Sequence, residues 1–191
     1  MSTALTQALD RAFGHPRGFL GRIGAAVMAY GNAATERRVV DVARLTSGET
    51  VLVVGPGPGV GLAAAAERAG QVIGVDPSEE MLGLCQARCP GAILRPGTAA
   101  RTGQDDESVD VVLSVNNVQL WDDRAAGFAE LHRVLRPGGR LVLSAHEKAL
   151  PLPRHALAAE ATAAGFTDLQ TWTWEPPGFG AVAAQLRAVR A

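Results

Sequence analysis

The chain alternates between short apolar runs and longer segments with helical spacing of apolar residues from position 51 onward. Short apolar runs of strand length predict strands, and apolar positions three or four residues apart predict helices. We place strands at 50–55, 71–75, 92–95, 109–115 and 140–145, and helices near 59–69, 78–88, 122–135 and 154–164. Strands that alternate with helices predict a parallel sheet with helices on both faces.

Two further strand-like segments follow, "DLQTWTW" from Asp168 and "GAVAAQLRAV" from Gly180. Only "EPPGFG" separates them. Because a parallel crossover needs about a dozen residues or more, this pair must be antiparallel. The pattern therefore predicts an α/β fold with a doubly wound sheet of seven strands, mostly parallel, with one antiparallel strand near the C-terminus.

The first part of the chain has a different pattern. The segment "AFGHPRGFLGRIGAAVMAYGN" mixes glycines with large apolar residues, and the following "AATERRVVDVARL" predicts an amphipathic helix. We interpret residues 1–45 as a helical extension that forms a lid, adds a layer to the sheet or contacts another copy. Residues 46–191 then form the core of a single domain, since about 150 residues per domain is the usual guide.

Composition and charge narrow the classes of partner. No apolar run approaches the ~20 residues of a membrane span, and the first residues lack the basic and then apolar pattern of a secretion signal. The net charge of −1 and the pI near 6.4 give no electrostatic footprint for a nucleic-acid backbone. We expect a cytoplasmic protein with a small-molecule substrate and neither nucleic acid nor membrane as partner, and we leave a homodimer open.

The two cysteines, Cys85 and Cys89, lie four residues apart in a predicted helix, with no third or fourth ligand nearby. Two thiols without companions make a poor zinc site, so we predict no metal. We interpret both as small buried helix residues, which is common for free cysteine. The absence of a disulfide framework fits a reducing compartment.

Gly55, Gly57 and Gly59 come directly after the first predicted strand, in "VLVVGPGPGVG". Glycines there permit unusual dihedrals and let a ligand approach the main chain without Cβ atoms in the way. The dinucleotide pattern G-x-G-x-x-G fits poorly, because its sixth position is Val60 counted from Gly55 and Leu62 counted from Gly57. Only "GVGLAA" gives a close variant, and it starts deep in the predicted helix.

In these stretches the chain resembles the class I S-adenosylmethionine-dependent methyltransferases, in particular the small single-domain kind called methyltransferase type 11. The glycine stretch is similar to the family's first motif, and "VIGVDPSEEML" to its second strand with the ribose-binding acid. "SVDVVLSVNNVQLW" resembles the fourth strand, and "ELHRVLRPGGRLVLS" the helix, turn and fifth strand that follow. The resemblance implies a Rossmann-like fold and S-adenosyl-L-methionine as the cofactor.

The resemblance also implies a cofactor site. Asp76 ends the strand "VIGVD", 21 residues after Gly55, where a carboxylate can accept two hydrogen bonds from a ribose diol. The alternative for Asp76 is the N-cap of the next helix, for which Ser78 is the better candidate. The other cofactor-site candidates lie on the glycine turn and after the second, third and fourth strands: Gly55, Pro56, Gly57, Gly59, Pro77, Met81, Thr98, Ala99, Asn116 and Asn117.

Two positions depart from the family pattern. The acid often found two places before the first glycine is Val53 here, and the acid often found before the adenine-contacting loop is replaced by Thr98. Val53 removes a carboxylate that usually organises the glycine loop. We therefore expect either weaker cofactor binding or a loop that is supported by other groups.

Substrate and catalytic candidates lie in the N-terminal segment and after the fourth and fifth predicted strands. Gln119 and Trp121 follow the fourth strand, at the edge where open α/β sheets bind ligands, although Trp121 can equally be a core anchor. Tyr30 belongs to the N-terminal segment. A general base is needed only for a protonated acceptor; the candidates are His146, directly after the fifth strand, and His15, if the N-terminal segment folds over the pocket. A surface or capping histidine is the competing interpretation of His146.

We therefore predict transfer of a methyl group to an oxygen or nitrogen of a small molecule by in-line displacement, with carbon left open. In such a reaction the protein mainly positions the reactants and excludes water. Two alternatives remain: a protein that binds the cofactor without methylating, and an NAD-dependent oxidoreductase. The second rests only on "GVGLAA" and Asp76, and the sequence has no Tyr-x-x-x-Lys pair.

Overall fold

A computed structural model describes residues 18–177 and 181–191, with side chains described from residue 31 onward. The strands are β1 (Thr50–Val54), β2 (Gln71–Asp76), β3 (Ile93–Pro96), β4 (Val109–Val115), β5 (Leu135–His146), β6 (Phe166–Trp174) and β7 (Ala183–Arg190). The helices of this part of the chain are α1 (Gly18–Ala43), α2 (Val60–Ala66), α3 (Glu79–Arg88), α4 (Arg124–Val134) and α5 (Arg154–Ala163). Two 3₁₀ turns cover Val118–Leu120 and Glu147–Ala149.

All seven strands form one sheet in the order β3-β2-β1-β4-β5-β7-β6. Strands β1 to β5 are parallel to one another, and β7 runs antiparallel to both β5 and β6. The predicted doubly wound sheet with one antiparallel strand is confirmed. The strand order reverses next to β1, and open α/β sheets bind ligands at such a point, outside the carboxyl ends of the strands.

Helices cover both faces of the sheet, and each face has its own apolar core. On one face Val39, Val40 and Ala43 of α1 pack with residues of α2, α3 and the central strands. On the other face Phe128 and Leu131 of α4 pack with α5. Because both faces are covered, the central strands are continuous apolar runs instead of alternating ones, which is the pattern that made them visible in the sequence.

Capping side chains fix where two of the helices begin. Ser78 Oγ accepts a hydrogen bond of 3.3 Å from the Met81 amide, and Asp123 Oδ1 accepts one of 2.9 Å from the Ala126 amide. Each cap satisfies an amide that has no partner inside its helix. The α4 helix consequently begins at Arg124, two residues later than predicted.

The predicted start of the fifth strand at residue 140 is wrong. The strand β5 begins at Leu135, which pairs with Val109, and the register then jumps to Val111 opposite Arg140. The segment "RPGG" therefore bulges out of a strand that has already started, although its proline and glycines suggested a turn before the strand. Arg136 fixes the bulge through an ion pair of 2.7 Å with Asp110.

The N-terminal helix is longer than predicted. One continuous helix covers Gly18–Ala43, whereas the sequence pattern indicated a helix only in its second half. Glycine weakens a helix by about 1 kcal/mol relative to alanine, so local residue preferences did not predict a helix in the glycine-rich first half. No helix in the described ranges is both long and apolar enough to cross a membrane.

Candidate functional site

A cavity of about 400 Å³ lies at the carboxyl ends of β1, β2 and β4, beside α1. The predicted cofactor residues converge on it, with Gly59 as the exception. Those that line the cavity are Gly55, Pro56, Gly57, Asp76, Pro77, Met81, Thr98, Ala99, Asn116 and Asn117. Trp121, predicted for the substrate side, also lines it.

The three glycines after β1 all have positive φ, at +61° for Gly55, +52° for Gly57 and +83° for Gly59. A Cβ on Gly55 would lie 2.9 Å from Asn117 Cγ, and one on Gly59 would lie 3.1 Å from the Cα of Cys85. A Cβ on Gly57 would meet no atom within 4 Å. Gly55 and Gly59 therefore permit close packing within the protein, while Gly57 leaves bare main chain on the cavity wall.

Asp76 is the last residue of β2 and is 7% exposed. Its Oδ1 accepts a hydrogen bond of 2.8 Å from the Ser78 amide, and its carbonyl accepts one of 3.2 Å from the Gly97 amide. Ser78 is the N-cap of α3, as the sequence suggested. Asp76 thus supports the start of the helix and also places a carboxylate on the cavity wall.

Thr98 and Ala99 lie in a tight turn after β3. The Thr98 amide donates to the Arg101 carbonyl over 3.0 Å, and the Arg101 amide donates back over 3.1 Å. Ala99 is only 5% exposed because the turn folds it against the core. This turn closes the β2–β3 side of the cavity with small side chains.

Asn117 joins the ends of β1 and β4. Its Oδ1 accepts hydrogen bonds of 2.8 Å from both Ser114 Oγ and Trp121 Nε1, and its Nδ2 donates to the Val54 carbonyl. Trp121 also packs edge to face on Phe128, with 5.5 Å between ring centres. Trp121 consequently lines the cavity and also packs against the core.

Asn116 links the end of β4 to the 3₁₀ turn that follows it and to the end of β5. Its Oδ1 accepts a hydrogen bond of 2.9 Å from the His146 amide, and its carbonyl accepts one of 2.8 Å from Gln119 Nε2. His146 Nε2 lies 3.2 Å from Asn32 Oδ1 on α1. Asn32 lines the cavity, while Gln119 and His146 are not among the described residues of its wall.

Burial lowers the pKa of His146, so the ring is neutral at pH 7. A neutral imidazole has the charge state of a base, although this one contacts Asn32 instead of the cavity. The second predicted base, His15, lies outside the described residues. The same holds for the side chain of Tyr30, so its predicted role in the substrate site is still a prediction.

One wall residue was missed by the sequence analysis. Glu36 of α1 is 8% exposed, lines the cavity, and accepts a hydrogen bond from the Gly61 amide at the start of α2. Burial raises the pKa of Glu36 to about 7. The signal was present in the helical spacing, which puts Glu36 on the same face as the buried Val39, Val40 and Ala43.

Comparison with known proteins decides the family. The profile described as "Methyltransferase domain" matches residues 52–143. The "Uncharacterized methyltransferase YdaC" of Bacillus subtilis is 30% identical over 159 residues, which cover 77% of this chain and 87% of that protein. The chain belongs to the class I S-adenosylmethionine-dependent methyltransferases. The predictions of family, enzyme class and cofactor are thereby confirmed.

A second relative of this methyltransferase is longer than the matched region. An "Uncharacterized methyltransferase" of Mycobacterium tuberculosis is 39% identical over 122 residues, which cover 63% of this chain and 50% of that protein. The match thus spans about half the length of the mycobacterial relative. Among solved structures, the YcgJ protein of Bacillus subtilis aligns with a TM-score of 0.71 and 15% identity, over 82% of this chain and 98% of that one. At that identity the likeness shows the fold alone.

The residues of this methyltransferase suit the cofactor that the family uses. Bare main chain at Gly57 and a carboxylate at Asp76 share one cavity, as a ligand with a ribose and a flexible amino-acid tail requires. The cavity volume lies at the lower end of the ~300–1,000 Å³ range of small-molecule sites. In the described ranges, no group of three or more histidine, cysteine, aspartate or glutamate side chains is placed to hold a metal ion.

Proposed function

We propose that the protein transfers a methyl group from S-adenosylmethionine to an oxygen, nitrogen or carbon nucleophile of a small molecule by in-line displacement. The observation that carries the proposal is the single cavity on which the glycine loop, Asp76 and the end of β4 converge. The family supplies the cofactor class, and the cavity supplies the place in this chain where it would bind.

Each part of the wall has a task in this proposal. When bound, the cofactor supplies an already activated methyl group on a positively charged sulfonium. Asp76 accepts hydrogen bonds from the ribose hydroxyls, and Gly57 lets the ligand reach the main chain. Val53, Val54 and Leu113 make part of the wall apolar, which keeps out water that would compete with the acceptor.

A small acceptor fits the volume and the charge better than a macromolecule does. The cofactor has to share a cavity of about 400 Å³ with the reacting part of the acceptor. A net charge of −1 provides no general attraction for a nucleic-acid backbone. The "Arsenite methyltransferase" of Halobacterium salinarum, 35% identical over 119 residues that cover 58% of this chain and 30% of that protein, has a small acceptor by its name.

The contacts of His146 favour a positioning role for this residue over a role as general base. His146 was predicted as the base, and its neutral ring meets Asn32, which itself lines the cavity. We propose that His146 holds Asn32 and, through its amide, Asn116 in place. An acceptor that is already a nucleophile at the working pH needs no proton removed.

The proposal is tested by incubating the protein with methyl-labelled S-adenosylmethionine and a panel of small oxygen, nitrogen and carbon nucleophiles. We expect S-adenosylhomocysteine together with a labelled product in at least one reaction, and much less of both in the Asp76→Asn variant at the same cofactor concentration. Tight cofactor binding with no methylated product across the panel would favour the alternative of a binding protein that does not methylate. Saturable binding of NADH in preference to S-adenosylmethionine would favour the oxidoreductase.

A further inference from the structure

The cavity has a second buried carboxylate that the proposed function does not yet use. Glu36 projects from α1 into the wall, and among the residues that the structure describes it accepts a hydrogen bond only from the Gly61 amide. Gly61 leaves no spare room, because a Cβ there would lie 3.0 Å from Glu36 Oε2. The carboxylate is therefore held against the start of α2, directly after the glycine loop.

Glu36 and Asp76 approach the cavity from different parts of the fold. The helix α1 packs mainly on α2, β4 and β5, whereas Asp76 ends β2 and is tied by its carbonyl to the end of β3. In the sheet, β4 and β5 lie on one side of β1, and β2 and β3 lie on the other. The two carboxylates thus line one cavity from elements on opposite sides of β1, and we call these sides its β2–β3 end and its α1–β4 end.

A buried carboxylate needs a partner to compensate for its lost hydration. One backbone amide satisfies one lone pair, while an ionised carboxylate has about four acceptor sites. The neighbouring strand β1 contributes only Val53 and Val54 to the wall, which offer no hydrogen-bond donor from their side chains. Burying a charge in such surroundings is costly unless a cation pairs with it.

The cofactor carries a suitable cation at one end. Its ribose diol requires acceptors, which Asp76 provides, and its amino-acid tail ends in an α-ammonium group with three donors. We propose that Glu36 is the receptor for that α-ammonium group, so that α1 forms part of the cofactor site. The inference rests on the proposed use of S-adenosylmethionine and assigns the orientation in which it binds.

The charges around Glu36 are consistent with this role. Burial raises the pKa of Glu36 to about 7, while the Gly61 amide, Arg88 of α3 and Arg37 of α1 act in the opposite direction. The Cys85 thiol of α3 also faces this region, and burial raises its pKa to about 12, so it stays protonated. A bound ammonium group favours the ionised carboxylate, so cofactor affinity should rise as the pH increases through about 7.

The test compares two ligands that differ only in the amino-acid tail. S-adenosylhomocysteine carries the ammonium group, and 5′-methylthioadenosine has the same nucleoside without it. We expect Glu36→Gln to weaken S-adenosylhomocysteine binding roughly 10- to 100-fold by calorimetry at pH 7.5, about the value of a hydrogen bond to a charged group. Binding of 5′-methylthioadenosine should change less than about threefold, and the rise of affinity with pH should disappear.

Asp41→Asn is the matched control, because it removes a charge from the same helix at an exposed ion pair with Arg68. It should leave the affinity for both ligands unchanged. Equal losses of the two ligands in Glu36→Gln, or no loss of either, would overturn the assignment. If the unaltered protein bound neither ligand, the proposed cofactor itself would fail, which is a different result from failure of Glu36 alone.

Discussion

The two ends of the cavity are built in different ways. The β2–β3 end uses Asp76, Ser78 and Thr98, which follow directly from strands that are visible in the sequence. The α1–β4 end uses Glu36 and Asn116, together with contacts that join residues far apart in the chain. The first end is specified by local motifs, and the second exists only after the N-terminal helix has packed on the sheet. A sequence motif therefore does not predict a site that forms only through long-range packing.

The largest effect should come from the glycine loop that both ends share. Gly55→Ala combines a left-handed backbone with a clash against Asn117, so we expect a loss of about 3–5 kcal/mol in the free energy of unfolding. Gly57→Ala has a similar φ but open space around the new Cβ, and should cost only about 1–2 kcal/mol. Chemical denaturation of the two variants measures the difference. Equal costs would show that packing against Asn117 does not matter.

The second prediction concerns Glu36 in the protein without cofactor. Burial raises its pKa from 4.5 to about 7. The contribution of the protonated carboxyl to folding stability is therefore full below pH 4.5 and is lost as the pH rises through about 7. Above pH 7 the ionised group should cost about 3 kcal/mol, by linkage. Glu36→Gln should therefore be more stable than the unaltered protein at pH 8 and equally stable near pH 4.5. Denaturant titrations at both pH values measure this, and a pH-independent difference would contradict it.

The third prediction separates the two ends by ligand. Asp76→Asn keeps an acceptor for the Ser78 amide but removes the charge, so we expect roughly 30- to 100-fold weaker binding of S-adenosylhomocysteine. Unlike Glu36→Gln, this variant should weaken 5′-methylthioadenosine to a similar degree. Glu79→Gln, which removes a charge from the first turn of α3, the helix that follows Asp76, is the control. Calorimetry that showed a loss for only one of the two ligands would break the assignment of Asp76 to the ribose.

The smallest effect should come from His146. Its ring contacts Asn32 instead of the cavity, so His146→Gln should lower kcat less than about tenfold once an acceptor is known. Loss of a general base typically costs about 10²–10⁴-fold. A fall of that size, with the loss of a step in the pH profile, would restore His146 as the catalytic base.

The sequence predicted the sheet, the glycine turn and the Asp76 end because each depends on a continuous stretch. Seven strands, one of them antiparallel, were recognisable from apolar runs and from the short "EPPGFG" link. The early start of β5 was not, since Leu135 joins the sheet by pairing with Val109 and not through any local preference. Local patterns therefore located the strands better than their ends.

Glu36 shows the same limit at the site. Its place on the buried face of α1 follows from its spacing to Val39 and Val40, but its contact with Gly61 depends on how two helices pack. Val53 indicated that the usual acid was missing from the glycine loop. Only the packed structure shows which carboxylate lies beside that loop.

The most direct test of this account is a crystal structure with S-adenosylhomocysteine bound. We predict that the ribose hydroxyls lie within hydrogen-bond distance of Asp76 and that the α-ammonium group lies within hydrogen-bond distance of Glu36. A ligand bound in the opposite orientation, or with its amino-acid end away from α1, would contradict the two-ended cavity.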